Sequence, residues 1–542
     1  VNYEVVAGRW EDGAFAERFV AIPGEGTIRL SNDSESPAQY PEGTVFVKHL
    51  FFPVGESGHR VPLETQLLHF ERGTWRPYSY LWSDDGLDAT LVDATGESRP
   101  LKNGGVSLDR TWHVNATNEC KLCHNAGPGF VLGFNAAQLD RRSHEDAATT
   151  QLKALVAQRV LDARSPVAAP SDLKLVDPYD SMHGLDDRAR SYLHANCSMC
   201  HHPGGNAIVS IFLRRDLPFE KMNTNKGTGI GTFGMRDAKI IVPGDPYRSV
   251  LMYRISKLGY ARMPYIGSRV VDGRGVSLIE QWIRQLPSSD ETPASRSAPA
   301  QAESPQAKAL TELAKRVPAS EKVSKAAEET IREAIRSTEA SLALITHLHR
   351  GDLETKAREL AVNTGNAAQG DIRGLFETFV PESQRRPTLG AVVDPQVILG
   401  RQGDKERGKL IFFSDGARCR NCHELDDRER SLGPTLREVL KKYPKPSELV
   451  THVLQPSLKV DEPFAAYTAV VDDGRVVTGL LVEQNDREVT LKTAERKVIK
   501  IARSELEELR RSEKSLMPDR VLSDLTAQEA ADLFEYLRSV AN

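Results

Sequence analysis

The spacing of apolar positions changes along this chain, and each change marks a different kind of structure. Up to about residue 112 the apolar residues alternate or form short runs of β-branched and aromatic side chains. Such runs occupy 44–52, 63–70 and 78–82, and Gly73 separates the last two as a turn. Trp10, Trp75, Trp82 and Trp112, four of the five tryptophans, fall here and are expected to supply an aromatic core rather than a sugar-stacking platform. The pattern then turns helical. Helices are expected near 148–163 and over 186–194, and an amphipathic one over 275–284. Residues 288–305 are mostly Ser, Ala, Pro, Glu and Gln, the composition of a linker. The stretch 306–380 is rich in Ala, Glu, Lys and Leu and predicts a few packed helices. His347 and His349 stand just before Gly351, at an expected helix end, where they interact favourably with the helix dipole. In the last part, 408–413 and 527–537 read as helices, with Thr526 as N-cap and Glu529 completing a capping box. Between them 464–503 alternates like strands, with a turn at Asp472, Asp473 and Gly474.

These elements predict a multidomain α+β protein. Its expected parts are a β-rich N-terminal domain (1–112), a segment 113–183, a helical domain 184–287, the linker 288–305, a helical segment 306–380, and a final domain 381–542 with a small β insert at 464–503. A length of 542 residues fits this division. Hydrophobic residues make up 39% and charged residues 27%, so ordinary globular cores are available. The net charge of −4 gives no reason to propose nucleic acid or an anionic membrane surface as partner. No apolar run approaches the ~18 residues needed to cross a bilayer, and no membrane span is expected.

The cysteines change the picture. All six lie in three copies of one pattern, C-x-x-C-H: Cys120, Cys123 and His124; Cys197, Cys200 and His201; Cys419, Cys422 and His423. This is the attachment pattern of c-type haem. Two thiols add across the vinyl groups, and the adjacent histidine becomes the proximal iron ligand. Structural zinc wants two such pairs close together, whereas 73 residues separate the first pair from the second and 218 the second from the third. A thioredoxin dithiol needs a βαβ context that the pattern does not contain. Disulfide frameworks belong mainly to short secreted domains. Three covalently bound haem c groups are therefore expected, one each in 113–183, 184–287 and 381–542. Covalent haem attachment in bacteria takes place outside the cytoplasm. The chain is thus expected to be periplasmic or secreted, its start at Val1 reading as processed.

The sixth iron ligand decides the chemistry, because methionine there raises the potential relative to a second histidine. Met263, before Pro264, lies 62 positions after His201. Met517, before Pro518, lies 94 after His423, and 54 once the 40-residue insert is removed. Small class I cytochromes place their distal methionine at about this remove, so both are expected as ligands, and 184–287 and 381–542 as class I cytochrome c-like helical domains. For the first haem His49, His69, His113, Met182 and an open position are alternatives, with His49 preferred as a strand residue able to cross the haem face. Pro434, eleven residues after His423, is expected to offer its carbonyl to the proximal imidazole, with Pro128 and Pro203 as weaker counterparts.

Residues 381–542 resemble the C-terminal haem-binding domain of many large secreted planctomycete and verrucomicrobial proteins. The matching stretches are 407–413, the third motif, Gly433 and Pro434, 455–457, 473–479, 515–518 and 531–533. Residues 1–287 resemble a separate family of diheme c-type proteins, through 43–45, 63–65, Glu119 and Cys120, 131–133, 191–197, 242–246 and 262–264. Members of both families are often joined to, or encoded near, β-propeller sugar dehydrogenase-like modules. The resemblance implies a role as electron acceptor and names no donor.

The expected function is electron transfer by a multiheme cytochrome, from a dehydrogenase to a cytochrome or other carrier. Alternatives are a peroxidase-like haem enzyme with an open first haem, and a binding module in 1–112 with the haems as its output.

Overall fold

A computed structural model of the chain describes every residue except 32–37, 55–58, 94–95, 104–105, 126–128, 144–147, 204–206, 208, 229–230, 288–309, 311–322, 369, 391–392, 414–418, 420–421, 426–430, 472–475, 494–497, 513–514, 518–520 and 541–542. The linker expected at 288–305 and the turn expected at 472–474 lie outside the described residues. The chain forms two compact units. The first comprises 1–69, 77–258 and 262–385, and the second comprises 386–542 with the short stretches 70–76 and 259–261.

The first unit opens with a five-stranded sheet in the order β1 (Phe15–Ala21), β2 (Val45–Val54), β3 (His59–Glu71), β4 (Thr74–Trp82) and β5 (Ala89–Leu91). The expected strands at 44–52, 63–70 and 78–82 are all present, and Gly73 takes φ 68° in the turn between β3 and β4. A separate hairpin of β6 (Glu97–Asn103) and β7 (Val106–Val114) follows. Leu50, Phe52 and Leu63 from the sheet pack with Leu101, Trp112 and Val114 from the hairpin. Trp112 thus belongs to a core, whereas Trp10 does not. It donates its indole N–H to the Val270 carbonyl at 2.8 Å.

Helices follow: α1 (Thr117–Cys123), α2 (Gln151–Ala157) and α3 (Leu185–Cys197), then α4 (Gly273–Gln285). The helix expected near 148–163 is confined to α2, because Arg159 takes φ 58° and ends it. Helix α3 crosses α4 at a glycine. A Cβ on Gly275 would stand 2.5 Å from Cζ of Tyr192, so only glycine lets the two axes approach this closely. Trp282 at the far end of α4 donates to Asp186 of α3 at 2.7 Å. The expected helical segment 306–380 contains α5 (Lys325–Ala334), α6 (Thr338–Arg350), α7 (Thr355–Ala367) and α8 (Gly370–Phe376). As expected, α6 ends at Gly351, with φ 74°. His347 reaches Asp352 at 3.2 Å, and His349 packs on Phe379.

Most of the stretches expected as 1–112, 113–183, 184–287 and 306–380 share the first compact unit, with 70–76 and 259–261 assigned to the second. Polar staples explain the merger. The Asp12 carboxylate accepts from the backbone N–H groups of Arg269 and Val270, at 2.8 and 2.9 Å. The Gln138 amide exchanges two 3.0 Å hydrogen bonds with the Ala7 backbone. Arg350 of α6 pairs with Glu280 of α4, whose carboxylate is fully buried and also accepts from Arg284.

The second unit is built on α9 (Lys405–Phe413), α10 (Leu436–Lys442), α11 (Pro446–Leu454) and α12 (Ala527–Ser539). The capping box predicted for α12 is present. Thr526 Oγ1 accepts from the Glu529 N–H at 3.2 Å, and the Glu529 carboxylate accepts from the Thr526 N–H at 2.8 Å. Helices α9 and α12 also cross at a glycine: a Cβ on Gly408 would lie 2.5 Å from the Asp532 carbonyl carbon. Phe412 and Phe413 pack on Tyr536 beside that crossing, and Arg407 donates to both oxygens of Asp532 at 2.7 and 2.9 Å.

The β insert is larger than expected. It holds β8 (Ala466–Val471), β9 (Val476–Gln484), β10 (Glu488–Thr493), β11 (Val498–Ala502) and β12 (Leu506–Arg511), in the order β11-β10-β9-β8-β12. The extra strand β12 returns to pair with β8. Its sequence, rich in Glu and Arg, hides it from a reading by apolar alternation, because only Leu506 and Leu509 face the small core of this sheet. Among the described residues, no helix is long and apolar enough to cross a membrane.

Candidate cofactor sites

The three C-x-x-C-H motifs share one backbone turn. The histidine N–H donates to the carbonyl of the first cysteine at 2.9 Å for His124 and Cys120, 3.0 Å for His201 and Cys197, and 2.9 Å for His423 and Cys419. This bond sets the two cysteines and the histidine of each motif within one helical turn of backbone. In the first two motifs it terminates a helix, α1 or α3. All six cysteines are free thiols. Burial pushes Cys120, Cys197 and Cys419 each up to about 12, so these thiols are protonated near pH 7. No cluster of three or more His, Cys, Asp or Glu side chains suited to a metal ion occurs among the described residues.

The imidazoles fit a proximal role. His423 Nδ1 lies 2.7 Å from the Pro434 carbonyl oxygen, as expected from the spacing. An N–H donated there leaves Nε2 free to face a metal. Gly433 forms the surface against that ring: a Cβ would stand 2.5 Å from Cε1 and 2.9 Å from Nδ1 of His423. His124 finds an equivalent acceptor in the Phe130 carbonyl, at 2.6 Å. Pro128, the expected counterpart, lies outside the described residues. Burial pushes His124 down to about 4 and lowers His423, so both rings are neutral near pH 7, as a metal ligand requires. Pro203 does not serve His201; its carbonyl lies 2.9 Å from Nδ1 of the neighbouring His202.

A cleft of about 1200 Å³, counting its open mouth, lies at the first motif. Cys120, Cys123 and His124 line it from one side, and Phe46, Lys48, Gln66 and Leu68 from the sheet. The register explains these four. Phe46 pairs with Leu68 and Lys48 with Gln66, so all share one face of β2 and β3. His49 pairs with Thr65 on the other face. There it bonds Thr65 Oγ1 at 3.0 Å and packs against Trp82 and Phe51. Strand alternation thus turns His49, the residue preferred as sixth ligand, away from this cleft. His69, paired with Val45, shares the His49 face. His113 is held by Ser98 at 2.7 Å, outside the cleft lining, and Met182 is 88% exposed.

Polar groups take the place the histidines were expected to fill. Lys48 forms an ion pair with Glu11, which is 8% exposed, and Arg9 also lines the cleft. Burial alone would raise the Glu11 carboxyl, but Lys48 and Arg9 outweigh it and hold it below its usual range. The signal for this in the sequence is a lysine at an inward position of a strand otherwise apolar on that face.

Met263 and Cys197 both border the apolar core formed by α3, α4 and neighbouring segments. Met517 is half-buried in a loop whose Ser515 N–H donates to Ser457 Oγ at 3.1 Å, and Cys419 borders the core of α9 to α12. No protein-family model matches the chain, and no curated protein matches it.

Proposed function

We propose that the chain is a triheme c-type cytochrome that carries electrons in the periplasm, taking them from a dehydrogenase and handing them to another redox carrier. The observation that carries this reading is the recurrence of one backbone turn at three places, each holding two cysteines and a half-buried histidine. Cys120, Cys123 and His124, then Cys197, Cys200 and His201, then Cys419, Cys422 and His423 would each hold one group by two thioethers and one imidazole. When bound, haem supplies a reversible one-electron iron couple. The rest is the work of the chain. Phe130 and Pro434 orient His124 and His423, and Gly433 fixes the plane of the His423 ring. Met263 and Met517 are the candidates for the sixth position in 184–287 and 381–542, read as class I cytochrome c-like domains. The glycine crossings at Gly275 and Gly408 are compatible with that reading.

A second reading makes the first site a place where a small substrate is handled, as in a peroxidase. One observation favours it: the sheet wall of the first cleft presents the Lys48–Glu11 pair rather than a histidine. Expression with the c-haem maturation machinery, intact-mass analysis and low-temperature EPR test both. Three haems per chain, all low-spin and six-coordinate, support the carrier. One high-spin ferric signal with peroxide turnover supports the enzyme, and a bare chain after maturation refutes both.

A further inference from the structure

The first two motifs are distant in sequence and meet in space. The Cys123 and Cys200 thiols lie near each other. Both belong to one apolar cluster with Met199 and Ile266. Cys123 and Met199 are each 8% exposed, so the meeting point is interior.

Two independent features tie the same two sites together. Ala195 of α3 and Met199, from the element carrying the second motif, form part of the wall of the first cleft. The segment that carries Met263 also reaches that cleft, through Ile266 and Gly267. Arg9 locks this segment in place. Its Nη2 donates to the Ile266 carbonyl at 3.1 Å, and a Cβ on Gly267 would stand 2.6 Å from its Cζ. Glycine at 267, with φ 69°, is what lets the guanidinium lie flat against the chain.

In c-type attachment the second cysteine of each motif holds a porphyrin edge two covalent bonds from its sulfur. Sulfurs lying near each other therefore bring two macrocycle edges together. We infer that Cys123 and Cys200 hold the first two haems as one contact pair whose edges meet at this thioether junction. The inference rests on the triheme reading and deepens it: 1–287 presents two adjoining cofactors, a paired acceptor, rather than two unrelated sites. Met199, Ile266 and Leu132 exclude water from the junction.

Circular dichroism in the Soret band of the matured full chain tests this, with intact mass as the check on haem number. Neighbouring porphyrins couple their transitions and give a signal of two opposite lobes; isolated ones give single lobes that add. The expected result is three haems by mass and a two-lobed Soret signal. That signal should be lost in Cys197→Ala/Cys200→Ala and in Cys120→Ala/Cys123→Ala, and retained in Cys419→Ala/Cys422→Ala. Three haems with a Soret signal that changes only additively as each motif is removed overturns the pair and leaves the triheme reading standing. A mass showing no haem on either of the first two motifs refutes the triheme reading itself and the pair with it. If the cysteine variants fail to fold, EPR of the ferric wild-type protein decides. Two signals broadened by mutual spin interaction support the pair, and three unbroadened signals overturn it.

Discussion

Gly408→Ala sets two effects of comparable size against each other. Taken as a helix residue alone, alanine is better than glycine by ~1 kcal/mol, so propensity predicts a more stable protein. The crossing of α9 and α12 predicts the opposite. A Cβ at 408 would lie 2.5 Å from the Asp532 carbonyl carbon and 2.8 Å from Tyr536 Cβ. Carbon atoms in good contact sit ~3.5–4.0 Å apart. Neither partner is the end of a flexible side chain, so relief means moving one helix off the other by roughly 1 Å. A gap of that size forfeits about a quarter to a half of the dispersion attraction of the facing atoms. Those atoms belong to Phe412, Leu533, Phe534 and Leu537, all buried. If each contributes ~1.5–3 kcal/mol by burial, the loss is roughly 3 kcal/mol, and the net effect is destabilisation by about 2 kcal/mol. For a unit of this size that lowers the melting temperature by roughly 4–8 °C. Thermal unfolding of the full chain followed by circular dichroism measures it, and hydrogen exchange should place the faster amides in α9 and α12. Gly275→Ala should cost less, because it meets the ring of Tyr192, a side chain, rather than backbone. A Gly408→Ala protein as stable as wild type, or more so, would refute the close-crossing argument.

Three other outcomes are expected. Lys48→Met leaves Glu11 in the interior with Arg9 but not Lys48 as a neighbouring cation and should cost about 2–3 kcal/mol in denaturant unfolding. This is somewhat below the usual figure for a broken buried pair, since Lys48 keeps 23% of its side-chain surface. The double change with Glu11→Gln should cost less than the two single changes added, and simple additivity would show that the pair is not coupled. Burial holds His194 and His349 each down to about 4, against ~6.5 in the unfolded chain. The unfolded chain therefore takes up protons first as pH drops. The stability these groups protect is fully present above ~pH 6.5 and is lost progressively down to about pH 4, by at most ~3 kcal/mol per histidine before discounting for partial exposure. Urea midpoints measured across that window check it, and a flat profile counts against buried neutral rings. Finally, if the triheme proposal holds, Met517→His should lower the midpoint potential of a single haem and leave the other two unchanged. Spectroelectrochemistry reads this directly, and an unchanged potential would remove Met517 as ligand.

Much of the local structure was legible in the sequence, because short-range rules produce it. Strands β2 to β4 follow from their runs of β-forming residues, whereas β1 carried no expectation. The α12 capping box follows from Thr526 and Glu529, and the end of α6 follows from Gly351. The Pro434 carbonyl at His423 was readable from a spacing of eleven residues, since one turn of chain delivers it. Other features were not readable. The side on which His49 lies was not readable, because alternation says which residues share a face but not which face meets the cleft. Strand β12 was missed because an edge strand needs few apolar positions. Its pairing partner, β8, lies far back in the sequence. The unit boundary between 385 and 386 departs from the compositional linker because α5 to α8 are tied to α4 by Arg350 and Glu280.

By itself, then, the chain's order of residues determined where six thiols and three histidines stand, which turns hold them, and which residues cap the helices around them. Tertiary structure alone decided that Lys48 and Glu11 rather than His49 face the first cleft, and that Cys123 meets Cys200. The physical reason is range. Turns, caps and alternation are settled by neighbours a few residues apart. Which faces meet, and which side chains are buried together, depends on packing between segments that the sequence separates by tens to hundreds of positions.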